Sequence, residues 1–223
     1  MRLKFIGLFI LIALIGCRKE PSALELPSMI GDNMLLQQKT DIKIWGKASP
    51  GNKIDVSASW QASGQKVSGE DGKWSVSLPT PEAGGPYTIT IAAKDTSVTV
   101  NNVLIGEVWV CSGQSNMEMP LAGWPPNDTV MYSAREIASA SIPEIRLFNV
   151  QKKVSGEPLD DCTGKWEICS PSAINQFSAT AYFFGKKLHN ELKIPIGLIE
   201  SAWVVLLLKR GCQERFLKVQ VSL

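Results

Sequence analysis

From Leu24 to Asn102 apolar and polar residues alternate. Ile42 and Ile44, then Ile54, Val56 and Ala58, then Trp74, Val76 and Leu78 are each separated by polar neighbours. Tyr87, Ile89 and Ile91, and then Val98 and Val100, continue the pattern. A period of two places alternate side chains on one face, so these segments predict half-buried strands. Ser49-Pro50-Gly51-Asn52, Glu70-Asp71-Gly72 and Gly84-Gly85-Pro86 interrupt them as turns. Asp71-Gly72 predicts a hairpin, because both residues tolerate the left-handed backbone that tight hairpins need. Short strands at this spacing predict a small antiparallel β-sandwich over residues 24–102.

The period then changes, and the boundary falls near Asn101-Asn102. Val103 to Cys111 is a nearly continuous apolar run, as expected of a buried strand. Asp128 to Ala140 predicts a helix capped by Asn127 or Asp128, with Val130, Ala134, Ile137 and Ala138 on one face. Pro143 precedes a second strand through Ile145, Leu147 and Phe148. Ser178 to Leu192 predicts a longer helix with Phe177, Ala181, Phe184, Leu188 and Leu192 at helical spacing. Ile196 to Ala202 reads as a third strand. Strands alternating with helices predict an α/β part whose parallel sheet is covered on both faces.

The first residues carry a different signal. Arg2 and Lys4 precede an apolar run from Phe5 to Ile15, which ends in Leu14-Ile15-Gly16-Cys17. A basic head, a short apolar core and a small residue predict a secretory signal. The cysteine after Gly16 makes residues 1–17 a lipoprotein signal, with Cys17 as the lipidated residue. The expectation is an exported chain, lipid-anchored to a bacterial membrane at its periplasmic face or the cell surface and tethered through Arg18 to Ser22.

Charge narrows the partners. The net charge is +2 at pH 7, and without Arg2 and Lys4 the basic and acidic residues balance, so nucleic acid is not an expected partner. Five cysteines are too few for a disulfide scaffold, and none has metal-site spacing. Cys162 and Cys169 could close a small loop, and Cys111 is expected as a small apolar residue. No cofactor or metal site is expected. Trp45 and Trp74 are expected in the core, and Trp60 is open between core packing and stacking on a sugar. Glu118, Asp160 and Asp161 could line a site, with a solvated surface position as the default for lone carboxylates.

The chemistry concentrates in Cys111-Ser112-Gly113-Gln114-Ser115-Asn116-Met117, directly after the buried strand. Ligands of α/β sheets gather at the carboxyl ends of strands. Gly113 is expected to allow a sharp turn that projects Ser115, flanked by Gln114 and Asn116. Backbone N–H groups there can face a developing oxyanion. By spacing alone, Gly-Gln-Ser-Asn is equally a good loop sequence.

Glu107 to Pro120, containing Gly113-Gln114-Ser115-Asn116, resembles the first block of bacterial sialate O-acetylesterases of the SGNH hydrolase superfamily. Leu35-Leu36-Gln37-Gln38 with Ile44-Trp45-Gly46 is similar to the opening of that family. Trp166 to Pro171 and Phe177 to Gly185 are similar to its middle, and Ile196 to Trp203 to the strand before its second block. The resemblance implies a flavodoxin-like parallel sheet with flanking helices over 103–203. It implies that Ser115 is the nucleophile on an O-acetylated sugar or sialoglycan, and that its N–H is one oxyanion donor. It also implies further donors from a glycine after the last of these strands and from a later Gln-Gly-Glu block, with a histidine base in a later Asp-x-x-His block.

After Trp203 the family continues Gly-Gly-Thr-Pro, whereas this chain reads Val204-Val205-Leu206-Leu207-Leu208-Lys209-Arg210-Gly211. Dropping one base from suitably chosen codons for Gly-Gly-Thr-Pro-Ala-Glu-Ala-Trp gives this same series. Residues 204–223 are therefore expected to be an out-of-frame tail after a partial SGNH domain, basic where the body is slightly acidic. His189 is the only histidine and is expected on a solvated helix surface near Lys186, Asn190 and Lys193. The expected activity is metal-free serine esterase chemistry, with this chain inactive or nearly so. The alternatives are an acetylesterase acting on xylan or another glycan, a non-catalytic glycan-binding lipoprotein, or a truncated product without function.

Overall fold

The computed structural model describes residues 24–126 and 128–203. The expectations for residues 1–17 and Cys17, the tether, Asn127 and residues 204–223 lie outside the described residues.

The first half forms β1 (Leu35–Gln37), β2 (Asp41–Lys47), β3 (Lys53–Ala58), β4 (Ser63–Val67), β5 (Lys73–Pro79) and β6 (Gly84–Ala93). Next come β7 (Thr96–Gly113), α1 (Ser115–Glu118), α2 (Ser133–Ser139), β8 (Ile142–Asn149) and β9 (Trp166–Cys169). The order closes with α3 (Pro171–Ile174), α4 (Ala179–Leu192) and β10 (Ile196–Ala202). The period-two segments are strands with one buried face: Ile42 and Ile44, Ile54 and Val56, Trp74, Val76 and Leu78, Ile89 and Ile91 all point inward.

The fold is a mixed sheet with few helices. Eight strands join in the order β4-β3-β6-β7-β10-β8-β9, with β1 also paired to β7. The strand β7 carries both architectures. Its first half is antiparallel to β6, and its second half is parallel to β10 from Glu107 opposite Ile196 to Gly113 opposite Ala202. Strand β8 is parallel to β10 on the other side.

β2 and β5 form a separate two-stranded sheet, whose apolar face shares a core with β3, β6 and β7. The Asp71-Gly72 turn does not close a hairpin, because β4 pairs with β3 whereas β5 pairs with β2. It passes the chain from one sheet to the other, and the buried Ser68 hydroxyl donates to the Ser49 carbonyl at its base.

The parallel strands are covered by different layers on their two faces. Leu198 packs in the core that includes Ala181 and Tyr182 of α4, whereas its neighbour Ile199 packs with Phe148 and Trp166 in the β-rich core. The first half of the chain thus occupies the face where a second helical layer was expected. Helix α4 comes very close to β10. A Cβ on Gly185 would lie 2.6 Å from Leu198 Cδ1, so only glycine fits without displacing that side chain.

The helical expectations need two corrections. Only Ser133–Ser139 of the expected 128–140 segment is α-helix, because Asp128 pairs with Trp124 in a loop bridge and Tyr132 is left-handed. Of the expected face, Ile137 packs inward, while Ala134 and Ala138 are exposed. Helix α4 buries Ala179, Ala181, Tyr182 and Gly185, whereas Phe184 and Leu192 are exposed. The ring of Phe184 meets the edge of Trp109, at 5.0 Å between centroids.

Asn102 is left-handed within the continuous strand and is held by a buried cation. Arg146 of β8 is buried and donates to the Pro143 and Asn33 carbonyls and to both Asn33 Oδ1 and Asn102 Oδ1. Asn102 Nδ2 in turn donates to Asn33 Oδ1 at 2.7 Å. The point where the pattern changes period is therefore a pinned junction within one strand.

Candidate active site

The carboxyl ends of β7, β8 and β10 lie together because these strands run parallel. Ser112 Oγ donates to the Ser201 carbonyl at 2.9 Å, and Trp203 N donates to the Gly113 carbonyl at 3.2 Å. The chain then turns directly into α1. The Gln114 carbonyl accepts from the N–H groups of Met117 and Glu118, both at 2.9 Å. Gln114, Ser115 and Asn116 are exposed on this turn, while Met117 packs inward. The four residues read from the motif are thus brought together at the strand end.

Gly113 does something other than expected. It stays in the extended strand without a left-handed backbone. A Cβ there would lie 3.1 Å from Met117 Cβ, so its use is to let α1 fold back closely on the strand.

The amino-terminal end of α4 supports α1. Thr180 Oγ1 donates to the Asn116 carbonyl at 2.8 Å, and Ala179 N donates to the Met119 carbonyl at 2.9 Å. Leu121 N donates to the Phe177 carbonyl at 2.9 Å. Ser178 is the N-cap of α4, and its hydroxyl accepts from Ala181 N.

Two carboxylates and an ammonium lie close behind. Glu118 pairs with Lys152, which follows β8. Glu200 of β10 is buried and accepts the Ser178 N–H at 2.9 Å. Burial pushes its carboxyl above the ordinary carboxylate value, against the opposing pull of the Ser178 N–H and Lys152. Burial and the nearby Glu200 push the Cys111 thiol up to about 11, so it is no nucleophile at neutral pH. Spacing gives no sign of a role for Glu200. Its signal is compositional, as the one charged side chain of Ile196–Ala202.

His189 does not approach Ser115. It lies in the last turn of α4, with Nδ1 2.8 Å from the Ile194 carbonyl and Nε2 3.4 Å from Glu144. It is also not the solvated surface residue expected, because its side chain is only 14% exposed.

The remaining candidates lie elsewhere. Asp160 pairs with Lys47 and Lys73, and Asp161 accepts from Ser28, both beside the first half of the chain. Cys111, Cys162 and Cys169 are free thiols. Cys162 and Cys169 pack against different cores, which keeps them from closing the loop considered from sequence. Trp74 is buried and Trp45 is half-buried against the same core. Trp60 Nε1 donates to the Pro79 carbonyl, and its ring packs on the edge of Tyr87, so it is engaged within the protein.

Known proteins with the same sequence pattern exist. The chain is 30% identical over 221 residues to the sialate O-acetylesterase of Mus musculus, covering 88% of this chain and 39% of that protein. It is 28% identical over 220 residues to the sialate O-acetylesterase of Homo sapiens, covering 89% and 40%. A solved carbohydrate acetylesterase from Xanthomonas citri superposes with a TM-score of 0.76 at 33% identity, covering 82% of this chain and 41% of that one. The chain thus spans about two-fifths of the length of the relatives it matches. No family model matches it.

Proposed function

We propose that this chain, a homologue of the sialate O-acetylesterases, carries the nucleophilic half of a serine esterase acting on acetyl groups of sugars. The observation that carries this reading is the exposed Ser115 on a tight turn directly after β7, whose carboxyl half runs parallel to β10 with Cys111 buried but Trp109 and Val110 exposed. Ser115 Oγ attacks the acetyl carbonyl carbon, and the Ser115 N–H supports the developing oxyanion. The bond to the sugar oxygen breaks, and that oxygen takes up the proton released by the Ser115 hydroxyl. Water then cleaves the acetyl-serine, releasing acetate and restoring the hydroxyl.

The substrate we propose is an O-acetylated sialic acid or a related sugar. Acetylated xylan or another carbohydrate is the second reading, in keeping with the likeness to a carbohydrate acetylesterase. Lipid anchoring through Cys17 on an exported chain completes the proposal and rests on the sequence alone. Among the described residues the one histidine is held at the far end of α4, so it does not supply the base. Turnover by these 223 residues is therefore expected to be slight, with acetylation of Ser115 outrunning its hydrolysis.

The test is peptide mapping after incubation with an activated acetyl ester and with acetylated sugars. An acetyl group on the Ser115 peptide, lost in Ser115→Ala, is the expected result. Acetyl groups scattered over lysines, with Ser115 unmodified, would overturn the reading.

A further inference from the structure

We infer that Glu200 is a positioning residue that sets the Ser115 turn by holding the amino-terminal end of α4. The inference rests on the reading of Ser115 as nucleophile and adds a residue that the motif does not contain.

Helices often close their first turn with a reciprocal pair. The N-cap hydroxyl accepts from the third helical residue, and a Glu or Gln there accepts from the N-cap N–H. In α4 the first half is present, as Ser178 Oγ accepts from Ala181 N at 3.1 Å. The second half cannot come from the helix, because alanine stands at 181. Glu200 supplies it from β10, accepting the Ser178 N–H at 2.9 Å.

The link continues to Ser115. Ser178 forms a bridge with Pro120, and its hydroxyl also contacts Met117 Sδ at 3.5 Å. The next residues of α4 bond to the Met119 and Asn116 carbonyls. Glu200 also stands opposite Cys111 in the β7–β10 ladder, four residues before Ser115. The carboxylate thus ties together the strand that delivers Ser115 and the helix that backs it.

A leucine at 200 would fill the space at a lower desolvation cost than a buried carboxylate. What leucine cannot do is accept the Ser178 N–H. The partial positive charge at the start of a fourteen-residue helix favours the carboxylate at this point.

The experiment compares the full chain with Glu200→Leu and Glu200→Gln. Amide hydrogen exchange reads Ser178, Ala179 and Leu121, and peptide mapping reads the rate of Ser115 acetylation by the activated ester. Arg146→Met serves as a destabilised control away from the site. In Glu200→Leu, exchange at Ser178 is expected to rise and Ser115 acetylation to fall, each by about tenfold. Glu200→Gln keeps an oxygen acceptor and is expected to restore both, while Arg146→Met leaves the acetylation rate unchanged. Wild-type acetylation in Glu200→Leu, or failure of Glu200→Gln to restore exchange protection, would overturn the inference. If Ser115 takes no acetyl group in the parent chain, the nucleophile reading fails. In that case the exchange data still decide whether Glu200 holds the turn.

Discussion

His189 Nδ1 lies 2.8 Å from the carbonyl oxygen of Ile194, bonded to the chain that leaves its own helix. Eleven residues separate it from Ser178, so the ring stands about 16 Å along the helix axis from the end that supports Ser115. No side-chain rotation spans that distance. His189→Ala is therefore expected to leave the acetylation rate of Ser115 within about twofold of the parent. Free imidazole in the buffer is expected to accelerate it, by supplying the base from solution. Rates measured by mass spectrometry against an imidazole series, with Ser115→Ala as background, check both points. A rate that collapses in His189→Ala would place the base on α4 after all.

Arg146 makes a second prediction, about stability. Its guanidinium serves four oxygens, all of them neutral, and burial pushes its pKa below the usual arginine value. Arg146→Met leaves the Asn33 and Asn102 oxygens without these donors, at an expected cost of about 2–4 kcal/mol. Arg146→Lys is expected to recover less than half, because one ammonium cannot copy the planar fork. Urea unfolding midpoints of the three proteins give the comparison.

Much of this fold is legible in the sequence, and its failures have physical causes. The burial of Ile54, Val56, Trp74, Val76 and Leu78 follows from a strict period of two, since a strand can hide only one face. Asp71-Gly72 misleads because a tight turn states only that the chain reverses, not which strand receives it. Phe184 misleads because helical spacing marks a face without fixing its rotation. Rotation is set by closest approach, and Gly185 takes the seat nearest β10. At the site, the turn after β7 is legible because Gly-Gln-Ser-Asn is local, while the proposed role of Ser115 rests on the resemblance of Glu107 to Pro120. Glu200 and Ser178 are not, because their hydrogen bond joins residues 22 positions apart.

That closest approach can be tested by reversing the sign of a mutation. Gly185→Ala adds a Cβ that would lie 2.6 Å from Leu198 Cδ1, and the expected overpacking cost is about 1–3 kcal/mol. Alanine also favours the helix over glycine by about 1 kcal/mol, which offsets part of that cost. In a Leu198→Ala background the clash is gone, and the same substitution is expected to stabilise. A double-mutant cycle from denaturation midpoints measures the coupling. Additive effects would mean that α4 is free to shift away from β10.

The last prediction concerns pH and the carboxyl of Glu200. Its folded value is raised by burial, more than the Ser178 N–H and Lys152 lower it, and Glu118 raises it further. A raised acid binds its proton more tightly folded than unfolded, so stability falls as pH rises between the two values. The contribution is fully present below the ordinary carboxylate range and is lost as pH climbs through the folded value. Glu200→Gln has no proton to lose and keeps an acceptor for Ser178. The difference in unfolding midpoint, Gln minus Glu, is thus expected to move in favour of Gln on going from acid to neutral pH. Shared groups such as Glu118 and Lys152 cancel to first order in that difference. A difference that moves the opposite way would show a carboxylate stabilised in its charged form. The Ser178 N–H, Lys152 and the α4 dipole would then outweigh burial.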